Sequence, residues 1–205
     1  MTIQNQPDVR RLEGIRFRWP SSNDDDLIVA TDAAVTKASP QQIVLRELPS
    51  PFAIAESRGM DLPAKIRSDS VAAAALINQL AFEAESIIKS IAANGFDGVF
   101  YRLSGADPAR LSPMQYGGLL FEHDWNLISA ASTTGLVVVF ADVGEDAYFD
   151  VIASLPCTVL AYDPVRSKIS DAELRRSTSA LLAPGTDQNG AVMFQIEADH
   201  LRGNA

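Results

Sequence analysis

Short runs of apolar residues, each followed by a helical pattern and then another such run, recur from Ile43 to the end of the chain. A strand that is apolar at nearly every residue is buried on both faces. Helices between successive strands force parallel pairing with right-handed crossovers. This rhythm confines the fold to the α/β class with a mainly parallel sheet.

The first run, Ile43-Val44-Leu45, has Pro49 and Pro51 just beyond it and reads as a buried strand ending in a loop. A long helix is expected from Ser70 to Asn94, because Leu76, Ile77, Leu80, Ala84, Ile87, Ile88 and Ile91 share one face and Gly95 stops it. Strand Gly98 to Leu103 comes next. Ser112, Pro113 and Gln115 open a further helix with a capping box and proline at the first helical position. That helix should run to Gly135, where strand Leu136 to Phe140 begins. A helix from Glu145 to Leu155 leads to strand Thr158 to Tyr162. Ser170 and Glu173 form a second capping box, opening a helix to Thr178. Strand Ala180 to Ala183, a turn from Gly185 to Gly190 and a last strand, Val192 to Ile196, complete the pattern.

Residues 1–40 read as a lead-in and residues 41–205 as the α/β domain. In the lead-in, Ile15, Phe17 and Trp19 lie among arginines, Ser21 to Asp26 breaks the pattern, and a helix from Leu27 to Ala38 is expected to stop before Pro40. About five βα-type strands and one terminal strand fit an open sheet and a barrel fragment equally well. Six strands would leave two free edges. The expected cover is a second copy in a homodimer, the lead-in with Phe17 and Trp19, or the terminal strand, with Phe194 buried in each case.

Composition narrows the function. With 47% hydrophobic residues the chain can fill one substantial core, and a net charge of −9 argues against a nucleic-acid surface. The single cysteine, Cys157, excludes an internal disulfide framework and any multi-cysteine zinc site, and its apolar neighbours make it a small buried hydrophobe. Met1 to Asp8 is polar and shows no signal peptide. No uninterrupted apolar run approaches the roughly 20 residues of a membrane span, so the expected compartment is the cytoplasm. Gly117-Gly118 falls inside a helix, and neither a dinucleotide-binding nor a Walker sequence is present. His123 lies mid-helix, His200 is near the end, and no G-x-S-x-G elbow accompanies them.

In a parallel sheet the ligand site lies at the carboxyl ends of the strands. Those ends carry Arg46 and Glu47, then Arg102 and Ser104, then Asp142, then Tyr162 and Asp163. Arg46, Arg102, Asp142 and Asp163 are expected to face one common cleft.

Over residues 41–184 the chain resembles the uroporphyrinogen decarboxylase family. The resemblance is carried by Asn94-Gly95-Phe96-Asp97-Gly98-Val99-Phe100-Tyr101, the loop Ser104-Gly105-Ala106, and the helix start Leu111-Ser112-Pro113-Met114-Gln115-Tyr116. Ser50-Pro51-Phe52 upstream and Val159-Leu160-Ala161-Tyr162-Asp163 downstream are similar to the family's corresponding strand ends. The resemblance implies a partial or truncated TIM-type (β/α) barrel. It also implies cofactor-independent removal of acetate carboxyls from a porphyrinogen, or, in related enzymes, zinc-dependent methyl transfer involving corrinoids and thiols. A polycarboxylate or tetrapyrrole ligand would then meet Arg46, Arg58, Arg102 and Tyr162, with Ser104, Asp142 and Asp163 as the catalytic candidates. Where the methyltransferase branch has its metal-binding H-x-C-G or H-x-H-G, this chain reads Phe140-Ala141-Asp142-Val143-Gly144, so no metal is expected. The decarboxylases' N-terminal arginine-rich loop and C-terminal histidine segment have no counterpart. Three readings stand: an active carboxy-lyase of that family, an inactive relative that binds a tetrapyrrole or a protein, and an unrelated open-sheet protein.

Overall fold

The computed structural model of the chain describes Leu12 and residues 14–19, 27–31, 41–188 and 191–196. Eight strands form one sheet: β1 (Arg16–Trp19), β2 (Leu27–Ala30), β3 (Ile43–Pro49), β4 (Gly98–Leu103), β5 (Leu136–Ala141), β6 (Val159–Tyr162), β7 (Leu181–Gln188) and β8 (Ala191–Gln195). Their spatial order is β1-β8-β7-β6-β5-β4-β3-β2. Neighbours from β2 to β7 are parallel. β8 is antiparallel to both β7 and β1, which makes β1 run in the common direction. The two edge strands, β1 and β2, lie in contact with no ladder joining them among the described residues. The sheet therefore curls into a nearly closed barrel of partial TIM type.

Strand periodicity divides the apolar residues between two cores. Phe17, Leu45, Phe100, Val138, Phe140, Ala161, Ala183 and Phe194 fill the lumen. Val44, Val99, Tyr101, Val139, Leu160, Tyr162 and Leu182 face the helices. Burial on both faces explains the unbroken apolar runs. Inside, Phe194 lies 5.0 Å from Phe17 and 5.1 Å from Phe140, and Trp19 lies 5.6 Å from Phe140, measured between ring centroids.

The outer layer contains α1 (Pro51–Ser57), α2 (Leu62–Ser68), α3 (Ser70–Ser90), α4 (Pro113–Leu119), α5 (Phe121–Ser132), α6 (Phe149–Ile152), α7 (Pro164–Ser167) and α8 (Asp171–Ser177). By length and composition α3 could cross a membrane; here Ala73, Ile77, Leu80, Ala84 and Ile88 bury one face of it in the outer core. Beyond α3 a 3-10 turn, Ala92–Asn94, ends at Gly95 with φ 76°, the left-handed stop expected from the sequence. Both capping boxes, Ser112 with Gln115 and Ser170 with Glu173, are present. Ser112→Ala should cost about 1 kcal/mol of stability, read as a lowered urea midpoint at unchanged slope.

Several expectations need correction. The helix expected from Leu27 to Ala38 begins instead as strand β2, paired in register Leu27↔Ile43 with β3; residues 32–38 lie outside those described. Leu-Ile-Val-Ala suits a strand, with two β-branched residues, and the partner strand decides the matter. The stretch read as a loop after Pro49 holds α1 and α2, capped by Ser50 and Asp61. The helix expected from Ser112 to Gly135 breaks at Leu120, just past the weak helix formers Gly117 and Gly118. The helix expected from Glu145 shortens to α6, because Asp146 turns the chain at φ 57°. β7 continues through the expected turn to Gln188. A Cβ on Gly185 would lie 2.6 Å from the side chains of Phe194 and Val192, so glycine is what lets that ring cross the strand. The edge expected to need cover is covered by the lead-in, since β1 pairs with β8 and both Phe17 and Phe194 are buried.

Candidate functional site

The parallel strands point their carboxyl ends at one rim, and residues of lumen parity there form its mouth. On β3 that parity belongs to Leu45 and Glu47; on β4 to Phe100 and Arg102; on β5 to Phe140, with Asp142 next beyond the strand. Arg102 stands above the aromatic lumen with its guanidinium 5.5 Å from the Trp19 ring centroid. Its Nε lies 3.3 Å from Glu47 Oε1 and its Nη1 3.5 Å from Asp142 Oδ2, with all three side chains largely shielded from solvent. These are ion-pair separations. Arg102 Nε itself is buried and donates no hydrogen bond to the described residues.

Asp142 also accepts a 2.5 Å hydrogen bond from Arg166 Nη1. Arg166 is positioned by Asp163, whose carboxylate caps α7 by accepting from the N–H groups of Val165 and Arg166. A charge chain thus crosses three strand ends, Glu47–Arg102–Asp142–Arg166, with two carboxylates and two guanidinium groups.

Ser104, the residue just past β4, is fully buried. Its Oγ donates to Glu56 Oε2 at 2.7 Å, and Arg110 Nε donates to Glu56 Oε1 at 3.0 Å. Arg110 Nη1 reaches Asp107 Oδ2 at 2.5 Å, where Gly144 N–H also donates. This network braces the loops after β4 and β5, and it occupies the Ser104 hydroxyl as a donor.

Sequence reasoning brought together Arg102, Asp142 and Asp163 at one rim, and the structure places them there. Arg46 does not share that cleft: its parity is that of Val44 and Leu48, and its guanidinium lies 6.0 Å from the Phe96 ring on the helix side. Arg58 pairs at 2.6 Å with Glu83 on the outer surface. Tyr162 also faces outward and donates its hydroxyl to Asp171. Of these mouth residues, the strand ends read from sequence include Glu47, though not as a ligand or catalytic candidate, and they include neither Trp19 nor Arg166. Counting in twos from the lumen residue Leu45 would have selected Glu47 over Arg46. Arg166 and Trp19 reach the mouth through a helix cap and through closure by β1, which no local pattern announces.

A zinc ion does not fit this mouth. Phe140 and Ala141 offer no side-chain ligand, both oxygens of Asp142 face guanidinium groups, and the described residues contain no cluster of three or more metal-ligating side chains. Away from the mouth, burial pushes the Cys157 thiol up to about 12, which leaves it inert. His123 lines a surface groove of about 430 Å³ between α3 and α5, in the helix layer.

One buried carboxylate lies on the outer side of β4. Asp124 of α5 accepts from Tyr101 Oη at 2.5 Å and from Tyr116 Oη at 2.8 Å. Burial lifts its pKa to about 7, opposed by the two donated hydrogen bonds, and pushes both tyrosines well above their ordinary value.

No protein-family model matches this chain, and no curated protein sequence matches it. Among solved structures it is similar to a methyltransferase from Methanosarcina mazei, with a TM-score of 0.58 and 14% sequence identity over 71% of this chain and 43% of that one. This chain therefore matches less than half the length of that structure. What the two share is the architecture, a mostly parallel α/β barrel.

Proposed function

We propose that this chain is a binding protein for a small carboxylate-bearing molecule held at the barrel mouth, a relative of the decarboxylase-like barrels without their chemistry. Arg102 carries the reading: a guanidinium at the carboxyl end of a parallel barrel, seated on Trp19, whose buried Nε faces Glu47 at 3.3 Å yet makes no hydrogen bond to the described residues. A carboxylate can accept from two guanidinium N–H groups at once, so it suits this position. The resemblance to proteins acting on porphyrinogen acetates makes a carboxylated tetrapyrrole the natural larger member of the class.

The groups available for catalysis are already engaged. Ser104 is buried and donates to Glu56, Asp163 caps a helix, and Asp142 lies between two guanidinium groups. None stands free as a general acid or base within reach of a ligand. Beneath Arg102 the lumen is packed with phenylalanine rings.

Titration with succinate and with coproporphyrin at low salt, followed by calorimetry and tryptophan fluorescence, tests the reading. Both should bind, chloride at matched ionic strength should not substitute, and Arg102→Gln should weaken binding about tenfold or more. Uroporphyrinogen incubated with the protein should lose carboxyl groups no faster than the blank. Absence of binding by both carboxylates, or decarboxylation above the blank, would overturn the proposal.

A further inference from the structure

Asp142 meets its surroundings as a ligand carboxylate would. Oδ1 accepts from Arg166 Nη1 at 2.5 Å, while Oδ2 faces Arg102 Nη1 at 3.5 Å. The second contact is an ion pair too long to be a hydrogen bond, so the aspartate sits against Arg102 without satisfying it. Arg166 has about half of its side chain in solvent, whereas Asp142 and Arg102 are largely shielded. The opening to solvent therefore lies on the Arg166 side.

We propose that Asp142 is an internal stand-in for the ligand carboxylate, an autoinhibitory contact that an incoming carboxylate displaces from between Arg102 and Arg166. The inference rests on the binding reading above and supplies its regulation. Glu47 stays beside Arg102 in either state, so the site has room in charge for one carboxylate at a time. The ligand class is then a molecule offering a single carboxylate to the mouth, with any further carboxylates left in solvent.

The base of the loop after β5 is held, with Asp142 N–H donating to Leu103 O at 2.9 Å and Gly144 N–H to Asp107 Oδ2 at 3.2 Å, so what moves is the Asp142 side chain and the outer end of the loop. The loop after β5 carries Asp146 at φ 57°, and the loop after α7 carries Lys168 at φ 55°. Both are left-handed conformations that non-glycine residues hold at some cost. The loop after β5 is tied to α7 and to the residue just beyond it by two ionic contacts, Asp142 with Arg166 and Glu145 with Lys168, each at 2.5 Å. The second pair is more than half exposed on both sides and so gives a weak latch. Rotating the Asp142 side chain away opens the first latch and loads this surface pair, while the backbone hydrogen bonds at the base of the loop stay in place.

Succinate titration of wild type, Asp142→Asn and Lys168→Gln tests the device. Asp142→Asn keeps the side-chain shape and removes the competing charge, so succinate should bind about tenfold tighter or better. Lys168→Gln, which leaves both arginines and Asp142 in place, should tighten binding about two- to threefold by loosening the outer latch. This variant carries the test if Asp142→Asn fails to fold, as judged by circular dichroism. Wild-type binding with no gain in a folded Asp142→Asn variant, or with no gain in Lys168→Gln, would overturn the stand-in while the binding reading survives. No succinate binding by any of the three proteins would remove both.

Discussion

The protein is expected to lose stability as the pH rises from about 4 to about 7, and Asp124→Asn is expected to remove that loss. Asp124 is fully buried, receives hydrogen bonds from Tyr101 and Tyr116, and has its pKa raised from 3.8 to about 7. Burial is the larger cause, and among the described residues it is opposed only by the hydrogen bonds from the two tyrosines, with no cation offsetting the lost hydration. A carboxyl that binds its proton more tightly when folded makes folding take up a proton. Its stabilising contribution is complete below the ordinary value, erodes through the window between, and is gone once the folded group ionises near pH 7. The difference amounts to roughly 4 kcal/mol. An asparagine there can accept from one tyrosine and donate to the oxygen of the other, as the protonated carboxyl does, so the variant mimics the neutral form without a titrating proton. Urea unfolding from pH 4 to pH 8 measures the effect. Parallel stability curves for wild type and Asp124→Asn would show that the carboxyl titrates alike in both states.

Phe194→Ala should destabilise the protein by about 3–5 kcal/mol, whereas Phe82→Ala should stay within about 0.5 kcal/mol. The two phenylalanines differ only in position. Phe194 is 1% exposed and Phe82 is 65% exposed. Phe194 also stacks on Phe17, meets Phe140 edge-on, and crosses Gly185, so its ring ties β8 to β1, β5 and β7 together. Truncating it leaves a cavity in the lumen at the strands that close the barrel. Deleting residues 191–205 should go further, exposing the edges of β1 and β7 to intermolecular pairing and producing aggregates by light scattering. A truncated protein that remained dispersed and equally stable would mean that β8 does not hold the barrel.

The local chemistry of the chain determined most of the middle of the structure. Ser112 and Ser170 open helices wherever they stand, because a side-chain oxygen satisfies an N–H that the first helical turn leaves unpaired. Ser50-Pro51 carried the same signal, and reading it with the weight given to Ser112-Pro113 would have found α1. Strands β4 to β6 follow from apolar runs too short for helices and bounded by turn residues, and parallel pairing follows from the helices between them.

What the sequence could not decide was long-range. Leu27–Ala30 is apolar enough for a helix or a strand, and its pairing with Ile43 to Arg46 settled it. Barrel closure depended on β1 and β8, separated along the chain by nearly its whole length, meeting through Phe17 and Phe194. The site followed the same division. Strand ends named Arg102 and Asp142, because parallel strands deliver their carboxyl ends to one rim. Trp19 and Arg166 came to those two residues through closure of the sheet and the turn of a capped helix. Arg46 went to the other face because side chains alternate along a strand. The residues that titrate, cap and pair are written locally, but which of them meet is set by how the sheet curls.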